Sequence, residues 1–174
     1  VIKAGATVVN IPDTTGYCLP DEFGRKIRFL KENVEGIDKV TIATHCHNDL
    51  GMATANTISG ILNGARQAEV TINGIGERAG NASLEEVIMS LKLLYGKDLG
   101  FKTKHIKELS ELVSKASGLP VPYNKPVVGN NVFRHESGIH VDAVIEEPLC
   151  YEPYIPELVG QKRQLVLGKH SGCR

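Results

Sequence analysis

The sequence lacks tryptophan, contains only four phenylalanines and five tyrosines, and carries no net charge, with 20 basic and 20 acidic residues. A neutral chain of this kind argues against binding to nucleic acid or to an anionic membrane surface. No apolar run approaches the roughly 20 residues that span a bilayer, and no signal peptide opens the chain. We therefore expect a cytoplasmic protein.

Cysteine pairs with the spacing of a zinc knuckle or a redox motif are also missing. The four cysteines are Cys18, Cys46, Cys150 and Cys173. A chain of this size needs no disulfide staples, so we expect reduced thiols. An initiator methionine is absent as well, because the chain begins Val-Ile-Lys in what is predicted to be the end of a helix. We expect a fragment, or one piece of a split enzyme.

The first two thirds of the sequence alternate short apolar runs with amphipathic segments, which is typical of βα units and a parallel sheet. Three strands are predicted, at 6–11, 39–43 and 69–73. Three helices are predicted, at 21–33, 50–65 and 83–94. The first strand is nearly continuous in β-branched residues, which predicts burial on both faces, and Pro12 should end it. Ser83 and Glu86 predict a capping box at the third helix.

The pattern changes after residue 96. An amphipathic helix is predicted at 104–115, followed by a proline-rich linker at 118–126 and a smaller region rich in histidine, glutamate and proline. We place a domain boundary near residue 100, between domains at 1–100 and 101–174.

Two histidines, His45 and His47, follow the second predicted strand. In an extended backbone residues i and i+2 project to one face, so the two imidazoles can share a metal ion. Imidazole pairs suit Zn, Mn, Fe or Cu, and with added oxygen ligands they accommodate Mg. The alternative is two polar residues that cap the next helix. Cys46 should point the other way, which favours a packing role over a nucleophile.

Polar clusters also follow the other two predicted strands, at 11–16 and 73–81. Three strand ends that direct polar side chains at one rim are typical of the catalytic face of a (β/α)₈ barrel. The glycine-rich third loop has the spacing Gly-x-Gly-x-x-x-Gly, which does not match the dinucleotide fingerprint of a Rossmann fold. Its backbone amides can still approach a ligand.

A third group of polar residues contains His135, Glu136 and His140. On one helix the two histidines would diverge by about 140°, so they do not form an obvious metal pair. One interpretation places His135 and Glu136 on a solvated helix face. The other is a histidine beside a carboxylate that acts as a base near neutral pH.

Five blocks together resemble the 2-isopropylmalate synthase and homocitrate synthase family of acetyl-CoA-dependent enzymes that condense 2-oxo acids. The blocks are IPDTTGY at 11–17, HCHNDLG at 45–51, NGIGERAGNASLEEV at 73–87, HESGIHVD at 135–142 and LGKHSG at 167–172. The resemblance implies an α/β fold: the C-terminal part of a TIM barrel, with three βα units over 1–100. A linker and a small α-rich subdomain would follow over 101–174.

The resemblance also implies an acyltransferase that joins acetyl-CoA and a 2-oxo acid in a Claisen-type condensation. It implies a divalent metal ion (Mg, Mn or Zn) and a homodimer, or a partner subunit with the N-terminal half of the barrel. Val141 and the tail at 163–172 favour homocitrate synthase, which acts on 2-oxoglutarate. The alternatives are 2-isopropylmalate synthase, which acts on 3-methyl-2-oxobutanoate, a retro-aldol lyase of the same superfamily, and a non-catalytic subunit or remnant.

Residue roles follow from the resemblance alone. His45 and His47 match two metal ligands, and Asn81 matches a further, weaker one. Thr14 matches a residue that contacts the substrate carboxylate. Residues of a loop near the acyl-CoA are matched by Gly76, Glu77, Arg78 and Gly80.

Three further matches lie in the C-terminal part. His140 matches the catalytic base, which in the family comes from the partner chain's subdomain. Tyr151 matches a tyrosine that assists this base, and Glu136 fits as a neighbour that orients the region.

The sequence also departs from the family pattern. The Arg-Asp-Gly-x-Gln motif, which supplies another metal ligand and a substrate-polarising arginine, is absent. Cys173 stands where the family pattern continues with arginine. We expect the chain alone to be inactive and to bind metal poorly.

Overall fold

The computed structural model of the protein describes residues 1–166. The LGKHSG block and Cys173 lie outside the described residues. The chain divides into two compact units, unit 1 at Val1–Leu99 and unit 2 from Gly100 onward. No helix in the described part of the chain is long and apolar enough to cross a membrane.

Unit 1 is built on a parallel sheet with the strand order β1-β2-β3. The strands are β1 (Val8–Asp13), β2 (Thr41–Cys46) and β3 (Gln67–Glu69). The helices are α1 (Pro20–Asn33), α2 (Ala53–Leu62) and α3 (Leu84–Tyr95). A helix follows each strand along the chain. The predicted α/β class and its three βα units are therefore confirmed.

Two predictions about β1 are wrong. Pro12 does not end the strand but pairs with His45 within it. Because β1 has a neighbour on one side only in the described residues, the missing N–H of proline can face away from the sheet. β1 is also not buried on both faces, since exposed and partly buried residues alternate along it and only Asp13 is fully buried.

The core of unit 1 lies between the sheet and its helices. Phe23 and Ile27 are spaced one helical turn apart on α1 and are 1% and 0% exposed. Burial of one such side chain contributes about 1.5–3 kcal/mol. Gly60 lets α2 approach the sheet closely, because a Cβ at this position would lie 2.6 Å from Cγ2 of Thr44.

The third helix begins where it was predicted but not with the predicted cap. Ser83 is its N-cap residue, yet its side chain makes no capping hydrogen bond. Glu86 instead accepts a 2.7 Å hydrogen bond from the hydroxyl of Thr54 on α2. A tertiary contact therefore replaces the predicted capping box.

In its described residues, unit 2 contains two α-helices, α4 (Ile106–Ser117) and α5 (Gly138–Glu146). It also contains two short parallel strands, β4 (Arg134–His135) and β5 (Gln164–Leu165). The prediction of His135 on a solvated helix face is wrong, because this residue pairs with Leu165 in the sheet and its side chain is only 10% exposed. The pairing partner lies about thirty residues away, so the local pattern could not reveal it.

Candidate active site

His45 and His47 bring their rings together at the end of β2. Their Nε2 atoms lie 3.2 Å apart, and the ring planes meet at 63°. His45 is the fifth residue of β2, and His47 is the first residue after the end of this strand. The alternation of extended backbone therefore places both side chains on one face. The structure thus brings together the two residues that the resemblance assigned to a metal.

The nitrogen and oxygen atoms around this pair fit a divalent cation in part. Two nitrogens each about 2.1 Å from one ion would lie roughly as far apart as these Nε2 atoms do. Oδ1 of Asn81 is buried and has no hydrogen-bond partner among residues 1–166. The backbones of His47 and Asn81 form a bridge, which places the amide next to the imidazole. No group of three or more His, Cys, Asp or Glu side chains suited to a metal occurs in the described residues.

Glu69 completes the surroundings of His45, and sequence reasoning missed it. Its Oε2 lies 2.9 Å from Nδ1 of His45 and also accepts a hydrogen bond from the amide of Asn10. Glu69 is the last residue of β3 and is in register with His45. With the proton on Nδ1 donated to Glu69, Nε2 of His45 is left with a free lone pair. The sequence contained a signal, a carboxylate near the end of a neighbouring strand, but the third strand was predicted at 69–73.

Arg78 connects the loops that follow all three strands. Its Nε and Nη2 donate to the two carboxylate oxygens of Asp49 at 2.7 and 3.0 Å, and Nη2 also donates to the carbonyl oxygen of Thr14 at 2.7 Å. The guanidinium of Arg78 lowers the pKa of the Asp49 carboxyl. Arg78 and Thr14 therefore contact each other at the rim, and Asp49 is a rim residue that sequence reasoning missed.

The glycine-rich loop folds tightly over this rim. Gly80 is buried with φ +91°, and a Cβ there would lie 2.0 Å from the carbonyl oxygen of Gly74, so only glycine fits. Gly76 and Glu77 are exposed. A Cβ at Gly76 would lie 2.5 Å from Nδ2 of Asn81, so this glycine gives the amide its space.

Cys46 has a packing role, as predicted. The residue is fully buried in the core of unit 1. Burial raises the pKa of its thiol to about 12. A thiol in this state is not a nucleophile near neutral pH.

In unit 2, the rings of His140 and Tyr151 lie against each other. Their centroids are 4.2 Å apart and the planes are tilted by 33°. His140 lies in the first turn of α5 and is exposed, and Tyr151 is 45% exposed. Glu136 is partly buried between β4 and α5. The structure therefore brings together the two residues that the resemblance assigned to base catalysis.

The carboxylate partner of His135 is Glu152 and not the adjacent Glu136. Nε2 of His135 lies 3.0 Å from Oε1 of Glu152, which is also bound by Arg163. Glu152 lies 17 residues along the chain from His135, and sequence reasoning missed it.

Comparison with known proteins gives two family matches. A family model described as HMGL-like matches residues 1–113, and one described as homocitrate synthase post-HMGL domain-like matches residues 127–174. The first covers more than half of the chain.

Two curated relatives match almost the whole chain. The homocitrate synthase AksA of Methanothermobacter thermautotrophicus is 57% identical over 98% of this chain and 42% of its own length. The 2-isopropylmalate synthase of Dictyoglomus turgidum is 54% identical over 99% of this chain and 35% of its own length. The chain thus spans about two fifths of the length of these relatives.

Among solved structures, an HMG-CoA lyase from Acinetobacter baumannii in complex with coenzyme A and 3-methylmalate superposes with a TM-score of 0.60. It is 19% identical, and the match covers 71% of this chain and 41% of that chain. At this identity the likeness concerns the fold alone. It agrees with the parallel βα arrangement of unit 1.

Proposed function

The chain belongs to the HMGL-like family, and from that premise we propose that it forms part of an acyltransferase that condenses acetyl-CoA with a 2-oxo acid. The products are a 2-hydroxy di- or tricarboxylic acid and free CoA. The observation that carries the proposal is the 3.2 Å approach of the two Nε2 atoms of His45 and His47. Two such nitrogens beside the buried, unpaired amide oxygen of Asn81 suit a divalent cation.

Within this proposal His45, His47 and Asn81 would hold Mg, Mn or Zn at the rim. The chemistry that such an ion supplies is Lewis-acid polarisation of the ketone of the 2-oxo acid. His140 accepts a proton from the acetyl-CoA methyl group at a ring nitrogen, with Tyr151 against its ring. The resulting carbon nucleophile attacks the ketone carbon, and the C=O electron pair moves to oxygen, which takes up a proton to become the 2-hydroxyl group. Water then hydrolyses the thioester to a carboxylic acid and free CoA.

Substrate contacts are proposed at the rim of unit 1. Thr14 would contact the substrate carboxylate. The loop with Gly76, Glu77, Arg78 and Gly80 would lie near the acyl-CoA, with Arg78 organising the rim through Asp49. Glu136 would orient the region around His140.

We further propose that the chain works together with the remaining strands of a barrel. β1 has one strand neighbour in the described residues, so its other edge is open to pairing. β1 and α1 also expose apolar side chains, with Val8 41% and Phe29 64% exposed. Pairing with further strands would cover these side chains. Those strands would also supply the metal ligands that are missing from the set of His45, His47 and Asn81. A homodimer would bring His140 of one chain to the rim of the other.

Homocitrate synthase, with 2-oxoglutarate as substrate, is the first candidate because of Val141 and the tail at 163–172. 2-Isopropylmalate synthase, with 3-methyl-2-oxobutanoate, is the second. Relatives with both names match at 57% and 54% identity, so similarity does not separate them. The two candidates differ in one substrate and can be compared in a single assay.

The test uses this chain combined with the rest of its barrel. Release of CoA from acetyl-CoA is followed with a thiol reagent in the presence of either 2-oxo acid and Mg, Mn or Zn. His45→Ala and His47→Ala should each abolish the release. His105→Ala, an exposed histidine of unit 2, should leave it unchanged. CoA release that survives both rim substitutions contradicts the proposal, and metal binding without release for either substrate favours a non-catalytic subunit.

A further inference from the structure

Glu152 is a buried carboxylate with three charge-assisted hydrogen bonds. Its side chain is 1% exposed. Arg163 donates from Nε to Oε1 at 2.7 Å and from Nη2 to Oε2 at 2.6 Å, and Nε2 of His135 lies 3.0 Å from Oε1. A charge so deeply buried persists only with such partners, and removal of one partner is strongly destabilising. The three side chains therefore form one fixed cluster, the Glu152 cluster.

Along the sequence, the members of the Glu152 cluster flank the His140–Tyr151 pair, with His135 before it and Glu152 and Arg163 after it. Glu152 directly follows Tyr151 in the chain. His135 lies in β4, and α5, which carries His140 in its first turn, begins three residues later. Arg163 directly precedes β5, which pairs with β4.

The contact between His140 and Tyr151 has backbone support, with hydrogen bonds from Glu147 N to Ala143 O and from Tyr151 N to Pro148 O, but little support from other side chains. Both residues are exposed, so burial does not fix their rings. Within residues 1–166 the structure gives no hydrogen bond between the two side chains. The rings are in contact, with 4.2 Å between their centroids. An exposed pair of rings loses side-chain entropy when it is ordered, and such a pair persists when the backbone on both sides is fixed. The Glu152 cluster adds side-chain bonds at Glu152, next to Tyr151, and at His135, ahead of α5.

We propose that Glu152 is a positioning residue that holds Tyr151 against the ring of His140 through its bonds to His135 and Arg163. The ring contact can be measured without any activity. Its effect on the reaction rests on the proposed function.

The first experiment measures the ring contact by NMR in the full chain with labelled histidine rings. The Tyr151 ring shields the protons of His140, and Tyr151→Ala defines the unshielded position. Glu152→Gln should move the His140 signals most of the way towards that position. Glu146→Gln, an exposed carboxylate on the same helix, should leave them in place. His140 signals that stay at the wild-type position in Glu152→Gln overturn the proposal.

Two additions keep the result interpretable. Signals of Phe133 and Val144, which are buried in unit 2, report whether a variant is folded. Should Glu152→Gln fail to fold, Arg163→Gln retains the carboxylate and should shift the His140 signals in the same direction by a smaller amount. Unchanged His140 signals in Arg163→Gln then overturn the proposal.

The second experiment measures catalysis in the assembled enzyme. Glu152→Gln should lower kcat by about 100-fold, the typical effect of a displacement near 1 Å, with KM for acetyl-CoA nearly unchanged. Loss of the ring contact with no CoA release even in the wild type supports the positioning role and refutes the proposed function. A fall in kcat with an unchanged ring contact refutes the positioning role and leaves the proposed function intact.

Discussion

Glu69 and His45 contact each other across neighbouring strands, with 2.9 Å between Oε2 and Nδ1. The contact turns the opposite ring nitrogen of His45 towards His47. A carboxylate behind a ligand histidine fixes its tautomer and its ring orientation. In the proposed metal site, Glu69 would therefore orient His45 towards the cation without coordinating it.

Replacement of Glu69 should weaken metal binding. Glu69→Gln removes the charge behind His45, and we expect an affinity for Zn or Mn lower by about 10–100-fold. Isothermal titration checks this in the chain combined with the rest of its barrel.

The chain alone should bind more weakly than about 1 µM, because its described residues supply only part of a ligand set.

Glu32→Gln is the matched control, an exposed carboxylate on α1 that should not change the affinity. An unaltered affinity in Glu69→Gln would show that the contact with His45 has no influence on the metal. A sub-micromolar affinity of the chain alone would contradict the expectation of an incomplete site.

Arg78 should hold the rim loops together through its forked geometry. Arg78→Lys keeps the charge but cannot donate to both oxygens of Asp49 and to Thr14 from one plane. We expect faster amide hydrogen exchange in the loops at 14–18, 47–51 and 76–81, measured by mass spectrometry. The free energy of unfolding should change little, because the Arg78 side chain is exposed and solvent screens the pair.

Arg25→Lys provides the comparison, since Arg25 forms an exposed ion pair with Asp21 within α1. Its exchange in the rim loops should equal that of the wild type. Equal exchange in Arg78→Lys would mean that the loops keep their conformation without the guanidinium.

The sequence predicted the βα units and the meeting of the two rim histidines because both depend on short-range periodicity. The i, i+2 relation of His45 and His47 is set by the local backbone. Glu69 depends instead on the register between β2 and β3, which no local pattern states. The strand that was predicted to begin at Glu69 in fact ends there, so the residue was assigned to the wrong end of the sheet.

The same limit applies in unit 2. One interpretation placed His135 on a solvated helix face, but the residue lies in β4, which is defined by its pairing with β5. Its partner Glu152 is likewise non-local. By contrast, the burial of Cys46 followed from alternation along β2 and was predicted.

Cys46 should be inert to thiol reagents in the folded chain. Burial raises its thiol pKa to about 12, so almost no thiolate forms at pH 8. Cys150 is exposed and should react with a chromogenic disulfide, whereas Cys46 should react only after unfolding. Peptide mapping after labelling identifies the modified residues. Labelling of Cys46 at the rate of Cys150 would contradict its place in the core.

Because of Glu152, the free energy of unfolding of unit 2 should depend on pH in the acid range. Arg163, and to a lesser extent His135, lower the pKa of its carboxyl in the folded state. Its contribution is therefore fully present above the unfolded pKa of about 4.3 and is lost as pH falls through the folded value. Glu152→Gln should be less stable than the wild type at pH 7, and the difference should shrink below about pH 4.

Urea unfolding at several pH values, followed by the near-ultraviolet signal of the tyrosines, measures this difference. Glu146→Gln should differ little from the wild type at any pH, since its carboxylate is exposed. A difference for Glu152→Gln that stays constant from pH 7 to pH 3 would refute the assigned ionic role of this carboxylate.

Alanine substitutions at Gly80 and Gly5 should distinguish the cost of a left-handed backbone from the cost of steric overlap. Both have positive φ, +91° and +97°, but a Cβ at Gly80 would overlap the carbonyl oxygen of Gly74 while a Cβ at Gly5 meets nothing within 4 Å. Gly5→Ala should therefore lower the free energy of unfolding by about 1–2 kcal/mol, the penalty of a left-handed backbone. Gly80→Ala should lower it by about 3–4 kcal/mol, because the loop must also move. Urea unfolding compares the two variants. Equal losses in the free energy of unfolding would show that the loop over Asn81 accommodates the added methyl group without a steric cost.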